Sequence, residues 1–310
     1  MTAESPIPYD PREWHNIQPP EGMDVSRRFE YDDDALSLLR KWLRLGSPRR
    51  VVEVGSGSGF FTEKLLTISP QSEITCVEPD NVLRKYAEGK LKGKASFVKG
   101  AAEEIPLPSE HSDLTVCHIV LNNLPDVSCA VQEMARVTKR GGIVAAIEPF
   151  GTSVSYYPDK RLEEVNRATD QAFGKGVWGL RNRLMDYPEE QGNRQTRYTE
   201  IFCEAGLRNV EAHGLLSVFL LSDPRRSTSD LIGWLRSRLD LLEKDGERLS
   251  VIQARGGADQ ELTQEFLKRN KEYIENLLKN PEKIAAVHEL ESVGRIVTVG
   301  FKEQGQRVSM

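Results

Sequence analysis

VVEVGSGSGFF, residues 51 to 61, constrains the fold of this chain more than any other stretch. An apolar run breaks into three glycines, Gly55, Gly57 and Gly59, two residues apart, and then into Phe60 and Phe61. Glycine exposes bare backbone amides and takes up positive φ at no steric cost. A strand that enters a helix through such a turn brings those amides to its carboxyl end. That is where open α/β sheets bind ligands.

The same rhythm runs through the first half. Strand-like runs at RVVEV (50–54), EITCVEP (73–79), ASFVKG (95–100), DLTVCHIVL (113–121) and GIVAAIEP (142–149) alternate with helical runs at 60–68, 80–91 and 128–138. Ahead of them, Ala35, Leu38, Leu39, Trp42 and Leu43 recur at helical spacing. Apolar strands alternating with helices predict a parallel sheet covered on both faces. Beyond Pro149 the rhythm changes. A polar, largely helical stretch runs to 206, a strand covers 207–221, two amphipathic helices follow Asp223-Pro224, and RIVTVGF (295–301) closes the sheet.

With 310 residues, the chain can bury one good core and carry a cap besides. Its net charge of −5 offers no global basic surface for nucleic acid or anionic lipid. No apolar run approaches the ~20 residues of a membrane span, and the N-terminus lacks the apolar core of a signal peptide. Cys76, Cys117, Cys129 and Cys203 are widely spaced, without a CxxC pair, so reduced thiols and no metal site are expected. A cytoplasmic location is the simplest expectation.

The glycine spacing narrows the ligand. A dinucleotide turn reads GxGxxG, with glycine where Phe60 stands. No Lys-Ser/Thr pair follows to make a phosphate-binding loop. Glu78 ends the second strand, where a carboxylate can accept hydrogen bonds from two ribose hydroxyls.

Together, VVEVGSGSGFFTEKL, ITCVEPDNVLRKYA, GAAEEIPLPSEHSDL, VCHIVLNNLPD and MARVTKRGGIVAAIEP resemble the ordered motifs of class I S-adenosylmethionine-dependent methyltransferases. The likeness is greatest to the branch of ubiquinone/menaquinone-biosynthesis and other small-molecule (type 11) methyltransferases. It covers residues 33–150, with two further strands at 207–221 and 295–301. The resemblance implies a doubly wound, seven-stranded, Rossmann-like α/β sheet whose last strand is antiparallel, with helical cap insertions. It implies S-adenosyl-L-methionine as cofactor and S-adenosyl-L-homocysteine as product. Glu53, Gly55, Ser56, Gly57 and Gly59 then surround the methionine moiety. Glu78 holds the ribose, Pro79 flanks the adenosine, Ala102 and Glu103 lie beside adenine, and His118 and Ile119 form the floor under the sulfonium. One departure is Ala101, where relatives commonly carry an aspartate that bonds the adenine amino group. Losing that bond costs about 1 kcal/mol of affinity, and Glu103 or Glu104 is a candidate replacement.

Such chemistry needs an acceptor nucleophile placed in line with the carbon–sulfur bond and shielded from water. His118 is the candidate base, against the alternative of a histidine packed in the sheet. Asn122 and Asn123 either touch substrate or shape the turn. The regions divide into an N-terminal segment (1–32, loose tail or lid), the cofactor-binding core (33–150), an insertion (151–206), strand six (207–222), a second insertion (223–293, cap or homodimer contact), strand seven (294–303) and a disordered tail (304–310). Both insertions follow carboxyl ends of strands on the cofactor side. A cap enclosing a sizeable, partly apolar small molecule is expected, with Tyr156, Tyr157, Trp178 and Trp234 as its candidate contacts or as ordinary core. The competing functions are methylation of RNA or protein, and a non-catalytic cofactor-binding partner subunit.

Overall fold

The computed structural model describes residues 12–47, 49–150, 154–184 and 197–303, and the side chains of 154 and 177–184 are outside that description. The remaining N-terminal residues and the tail from 304 likewise lie outside the described residues. In chain order the elements begin with α1 (Pro20–Arg27), α2 (Asp33–Trp42), β1 (Arg50–Val54), α3 (Phe60–Ile68), β2 (Glu73–Val77), α4 (Asn81–Leu91) and β3 (Ser96–Val98). There follow β4 (Ser112–His118), α5 (Val127–Val137), β5 (Thr138–Pro149), β6 (Val154–Tyr156), α6 (Lys160–Leu184) and α7 (Tyr198–Glu204). The chain continues with β7 (Arg208–Leu220), α8 (Thr228–Arg255), α9 (Gln260–Lys279) and β8 (Leu290–Phe301).

The sheet runs β3-β2-β1-β4-β5-β8-β7. Strands β1 to β5 are mutually parallel, and β8 is antiparallel to both β5 and β7. This is the seven-stranded sheet expected from the sequence. One addition was not legible there: β6 pairs with the start of β8 and prolongs the edge begun by β5. Strand β8 begins at Leu290, ahead of the apolar RIVTVGF run, because β6 and β7 both pair with its first half.

Consecutive residues of each strand point to opposite faces, so two cores form. Val51, Ile74, Leu114, Ile143 and Val299 pack under α2 and α3 with Leu39, Phe61 and Leu65. Val52, Val77, Cys117 and Val144 pack under α5 and α7 with Val131, Met134, Tyr198 and Phe202. Such fully buried aliphatic side chains each contribute roughly 1.5–3 kcal/mol by leaving water. Asp32, Asp80 and Asp126 cap the helices that follow them by accepting backbone N–H bonds.

A third cluster joins the helices after β7 to the N-terminal segment. Leu231, Trp234 and Leu235 of α8 and Ile274 and Leu277 of α9 bury against Phe219, with Val25 and Phe29 at the margin. The Trp234 indole N–H donates to the Val25 carbonyl at 3.1 Å. Arg248 donates to the His15 carbonyl at 2.6 Å. Thus α8 lies behind α1, which also packs on α3 and α4. None of the helices among the described residues is long and apolar enough to cross a membrane.

Candidate functional site

Strand order reverses between β1 and β4, so the crevice at their carboxyl ends is the place where such sheets bind ligands. A cavity of about 480 Å³ opens there. Glu53, Gly55, Ser56 and Gly57 line one part of it, Glu78 and Pro79 another, and Ala101, Ala102 and Glu103 a third. His118, Ile119, Val120, Asn123, Leu124 and Pro125 form the floor.

The glycine turn is built for close approach. Gly55 and Gly57 have φ of 69° and 55°. A Cβ on Gly55 would meet Val120 Cγ2 at 2.5 Å, and one on Gly57 would meet Met23 Cε at 2.9 Å. Gly59, with φ of 75°, does a different job from its neighbours and does not line the cavity. It starts α3, and a Cβ there would press on Ala87 and Leu91 of α4 at 3.1 Å.

Glu78 is buried and bound through both oxygens. Gly57 N–H donates to Oε2 at 2.7 Å and Asp80 N–H to Oε1 at 2.9 Å. Each carboxylate oxygen keeps a second acceptor site, and the residue faces the cavity. Burial pushes its pKa up to about 7, against the lowering effect of those two amides. Glu53, under the turn, accepts from the Thr62 hydroxyl at 2.6 Å. Burial raises it further, to about 8, with the nearby Glu78 charge adding to the shift.

Asp80 lies directly beyond Glu78 and ties the N-terminal segment down. It accepts from His15 N and Nδ1, each at 2.8 Å, while its other oxygen caps α4 through Val82 and Leu83. Asp24 of α1 accepts from Ser58 at 2.6 Å, Tyr86 at 3.1 Å and Lys90 at 3.0 Å. These bonds draw Arg12, Trp14, Met23 and Arg27 into the cavity wall. The segment before Asp33 therefore covers the site, while among the described residues neither insertion contributes a side chain to the lining.

On the floor, His118 stacks on Phe61 at 4.7 Å between ring centroids, and its Nε2 lies 2.8 Å from Tyr31 Oη. Burial holds the imidazole neutral, and the positive charges of Arg27 and Arg295 lower its pKa further. The next residue, Ile119, has φ of 58°. For a β-branched side chain this left-handed conformation costs on the order of 1–3 kcal/mol. Buried Glu148, at the end of β5, offsets it. Its carboxylate accepts from Val120 and Leu121 N–H at 2.9 Å and from Asn122 N–H at 3.2 Å. Burial pushes Glu148 up to about 7 in spite of these three amides.

Several sequence candidates lie elsewhere. Asn122 offers its amide to Glu148 and is absent from the lining, whereas Asn123 is part of it. Tyr156 is exposed on β6, which follows the sheet edge away from the crevice. Tyr157 packs edge-on against Tyr273 of α9, at 6.1 Å. The side chain of Trp178 lies outside the described residues. Trp234 is consumed by the Phe29–Phe219 cluster. Of the two candidate replacements for the missing aspartate at Ala101, Glu103 lines the cavity and Glu104 does not.

Sequence reasoning missed Met23, Arg27, Tyr31, Phe61 and Glu148. The first three come from a segment with no motif. Phe61 and Glu148 stand inside apolar runs that read as core. A carboxylate at the end of the apolar β5 run was the one available signal, because buried charge requires partners.

The residues present fit S-adenosylmethionine. Bare glycines at Gly55 and Gly57 leave room that any Cβ would fill, and Glu78 presents free acceptor sites beside them. Comparison with known proteins agrees. A family described as methyltransferase domain, type 11, matches residues 52–146. The ubiquinone/menaquinone biosynthesis C-methyltransferase of Psychromonas ingrahamii is 29% identical over 40% of this chain and 55% of its own length. The chain spans about half the length of the curated relatives it matches. Among solved structures, a methyltransferase of an antibiotic biosynthesis pathway from Anabaena variabilis superposes with TM-score 0.51 and 18% identity, covering 88% of this chain and 99% of that one. The phosphoethanolamine N-methyltransferase 2 of Haemonchus contortus, solved with S-adenosyl-L-methionine, gives TM-score 0.50 at 12% identity, covering 96% of this chain and 61% of that one. These two likenesses concern the fold alone. With the glycine turn, Glu78 and the strand order in place, residues 52–146 match the type 11 methyltransferase domain, and the sheet around them has the class I S-adenosylmethionine-dependent methyltransferase fold.

Proposed function

We propose that this protein transfers a methyl group from S-adenosylmethionine to a small, partly apolar acceptor. The carrying observation is Glu78, fixed by the Gly57 and Asp80 amides with its remaining acceptor sites toward the cavity. A carboxylate so placed binds a pair of vicinal hydroxyls, and the glycine turn beside it admits the rest of a nucleoside.

When bound, the cofactor supplies a methyl carbon on a positively charged sulfur. The protein's own contribution is position and dryness. Trp14 and Met23, held in place through His15–Asp80 and Asp24–Lys90, add an N-terminal wall to the cavity. Water exclusion strengthens each polar contact inside. Glu148 fixes the loop from Ile119 to Pro125, so the floor does not shift as the acceptor enters.

The acceptor side is apolar. In this reading the acceptor meets the apolar lining residues Trp14, Phe60, Phe61, Leu124 and Pro125, with His118 on the same cavity wall. This lining suits a flat ring, and the relative from Psychromonas ingrahamii is named for ubiquinone and menaquinone biosynthesis. An acceptor that carries a proton at neutral pH needs a base. His118 is held in the neutral, proton-accepting form. In the tautomer that donates Nε2–H to Tyr31, Nδ1 keeps a free lone pair, since Nδ1 has no hydrogen bond among the described residues.

Calorimetric titration with S-adenosylhomocysteine tests the reading, with NAD alongside and a Glu78→Ala variant as control. Micromolar binding that weakens about tenfold in the variant supports it. Binding of NAD in preference, or of neither ligand by folded protein, overturns it.

A further inference from the structure

Arg27 stands in the last turn of α1 and on the cavity wall. It follows Met23 by four residues, so both side chains leave the same helix face. Met23 sits over Gly57, which places Arg27 beside the glycine turn. Arg27 and the floor residue His118 line the same cavity.

Among the described residues the Arg27 guanidinium has no hydrogen bond and no ion pair, although its electrostatic neighbours include two acids. Both acids are committed elsewhere. Glu30 pairs with Arg295 at 2.8 Å, and Asp24 holds Lys90 at 3.0 Å as well as Ser58 and Tyr86. A guanidinium stays charged under all ordinary conditions, and a half-buried charge without a partner has given up part of its hydration. Burial pushes Arg27 below its ordinary value, and the positive charge of Arg295 adds to that effect. An anion in the cavity would relieve both.

Glu53 lines the same cavity under the turn. The α-carboxylate of an amino acid is an anion, and Arg27 brings a lasting positive charge to the same cavity. We propose that Arg27 binds the α-carboxylate of the amino-acid half of S-adenosylmethionine and its product. This inference rests on the methyl-transfer reading above. The planar guanidinium matches a carboxylate with two parallel N–H···O bonds, which an ammonium cannot reproduce. It also assigns α1 a part in cofactor recognition, although α1 lies outside residues 52–146, where the family match falls.

The test compares two ligands by calorimetry. S-adenosylhomocysteine carries the amino-acid half, and 5′-methylthioadenosine keeps the nucleoside thioether but lacks it. Both are titrated into wild type, Arg27→Met, Arg27→Lys and Arg28→Met, the last being an exposed neighbour as control. The expected result is a loss of about tenfold or more for S-adenosylhomocysteine in Arg27→Met, with Arg27→Lys between it and wild type. Methylthioadenosine affinity should stay within about twofold across the set, which also shows the variant site to be folded. Equal losses for both ligands, or an unchanged S-adenosylhomocysteine affinity in Arg27→Met, overturn the assignment and leave the methyl-transfer reading standing. A wild type that binds neither ligand overturns both.

Discussion

Tyr31 Oη lies 2.8 Å from His118 Nε2 across the boundary between the N-terminal segment and the sheet. The bond is buried, and each partner would otherwise leave a polar atom facing Phe60 and Phe61. It fixes the ring on the cavity floor and ties the covering segment to β4.

Tyr31→Phe removes this bond and keeps the ring packing. The expected loss is about 1 kcal/mol of stability, the net worth of a buried hydrogen bond. A double-mutant cycle with His118→Phe, read by urea denaturation, should give a coupling energy of similar size. Strict additivity would show that the contact contributes nothing.

Glu148→Ala leaves the amides of Val120, Leu121 and Asn122 without their acceptor, beside the strained Ile119. Each buried unsatisfied donor costs about 1–3 kcal/mol, so a total drop of several kcal/mol is expected. Hydrogen exchange should quicken at these three amides ahead of the strand cores. Glu148→Gln, which retains an acceptor oxygen, should recover part of the loss.

Glu53 and Glu78 make the stability of the ligand-free protein fall as pH rises. Their folded values, about 8 and about 7, lie above the ordinary glutamate value of 4.5. Between those limits the folded state holds protons that the unfolded state has released, so the stabilisation present at pH 4.5 is lost on the way to pH 8. Glu53→Gln should flatten the profile by at most about 1.4 kcal/mol per pH unit over that window. An unchanged slope in the variant would mean that Glu53 is ionised at its site.

Gly55→Ala and Gly57→Ala should separate. Both force alanine into positive φ, at a cost of about 1–2 kcal/mol each. The Gly55 substitution adds a clash with stiff, β-branched Val120, whereas the Gly57 substitution meets the end of the flexible Met23 side chain. Thermal unfolding should therefore place Gly55→Ala lower. S-adenosylhomocysteine affinity should weaken in both, since both line the cavity.

The expectations that held were those written in local pattern. Apolar runs of strand length separated by helical ones determined the parallel sheet, because side-chain period and burial are set within a few residues. The spacing of Gly55, Gly57 and Gly59 and the acid ending β2 marked the crevice, since positive φ and a strand end are local properties. Gly59 shows the limit of such reading. The same sequence signal there serves the packing of α3 on α4.

Tertiary structure decided what covers and equips that crevice. Residues 12–32 carry no periodicity or motif, yet His15, Asp24 and Tyr31 reach Asp80, Lys90 and His118 across more than sixty positions of chain. Tyr156 and Tyr157 were plausible by composition but follow β6 and α9 away from the cavity. Glu148 reads as one polar residue in an apolar strand until the turn after β4 brings three amides to it. The sequence by itself determined the sheet and the crevice at its switch point, where the nucleoside ligand is proposed to bind. Which side chains wall that place depended on contacts between distant segments, because burial and charge pairing are set by neighbours in space.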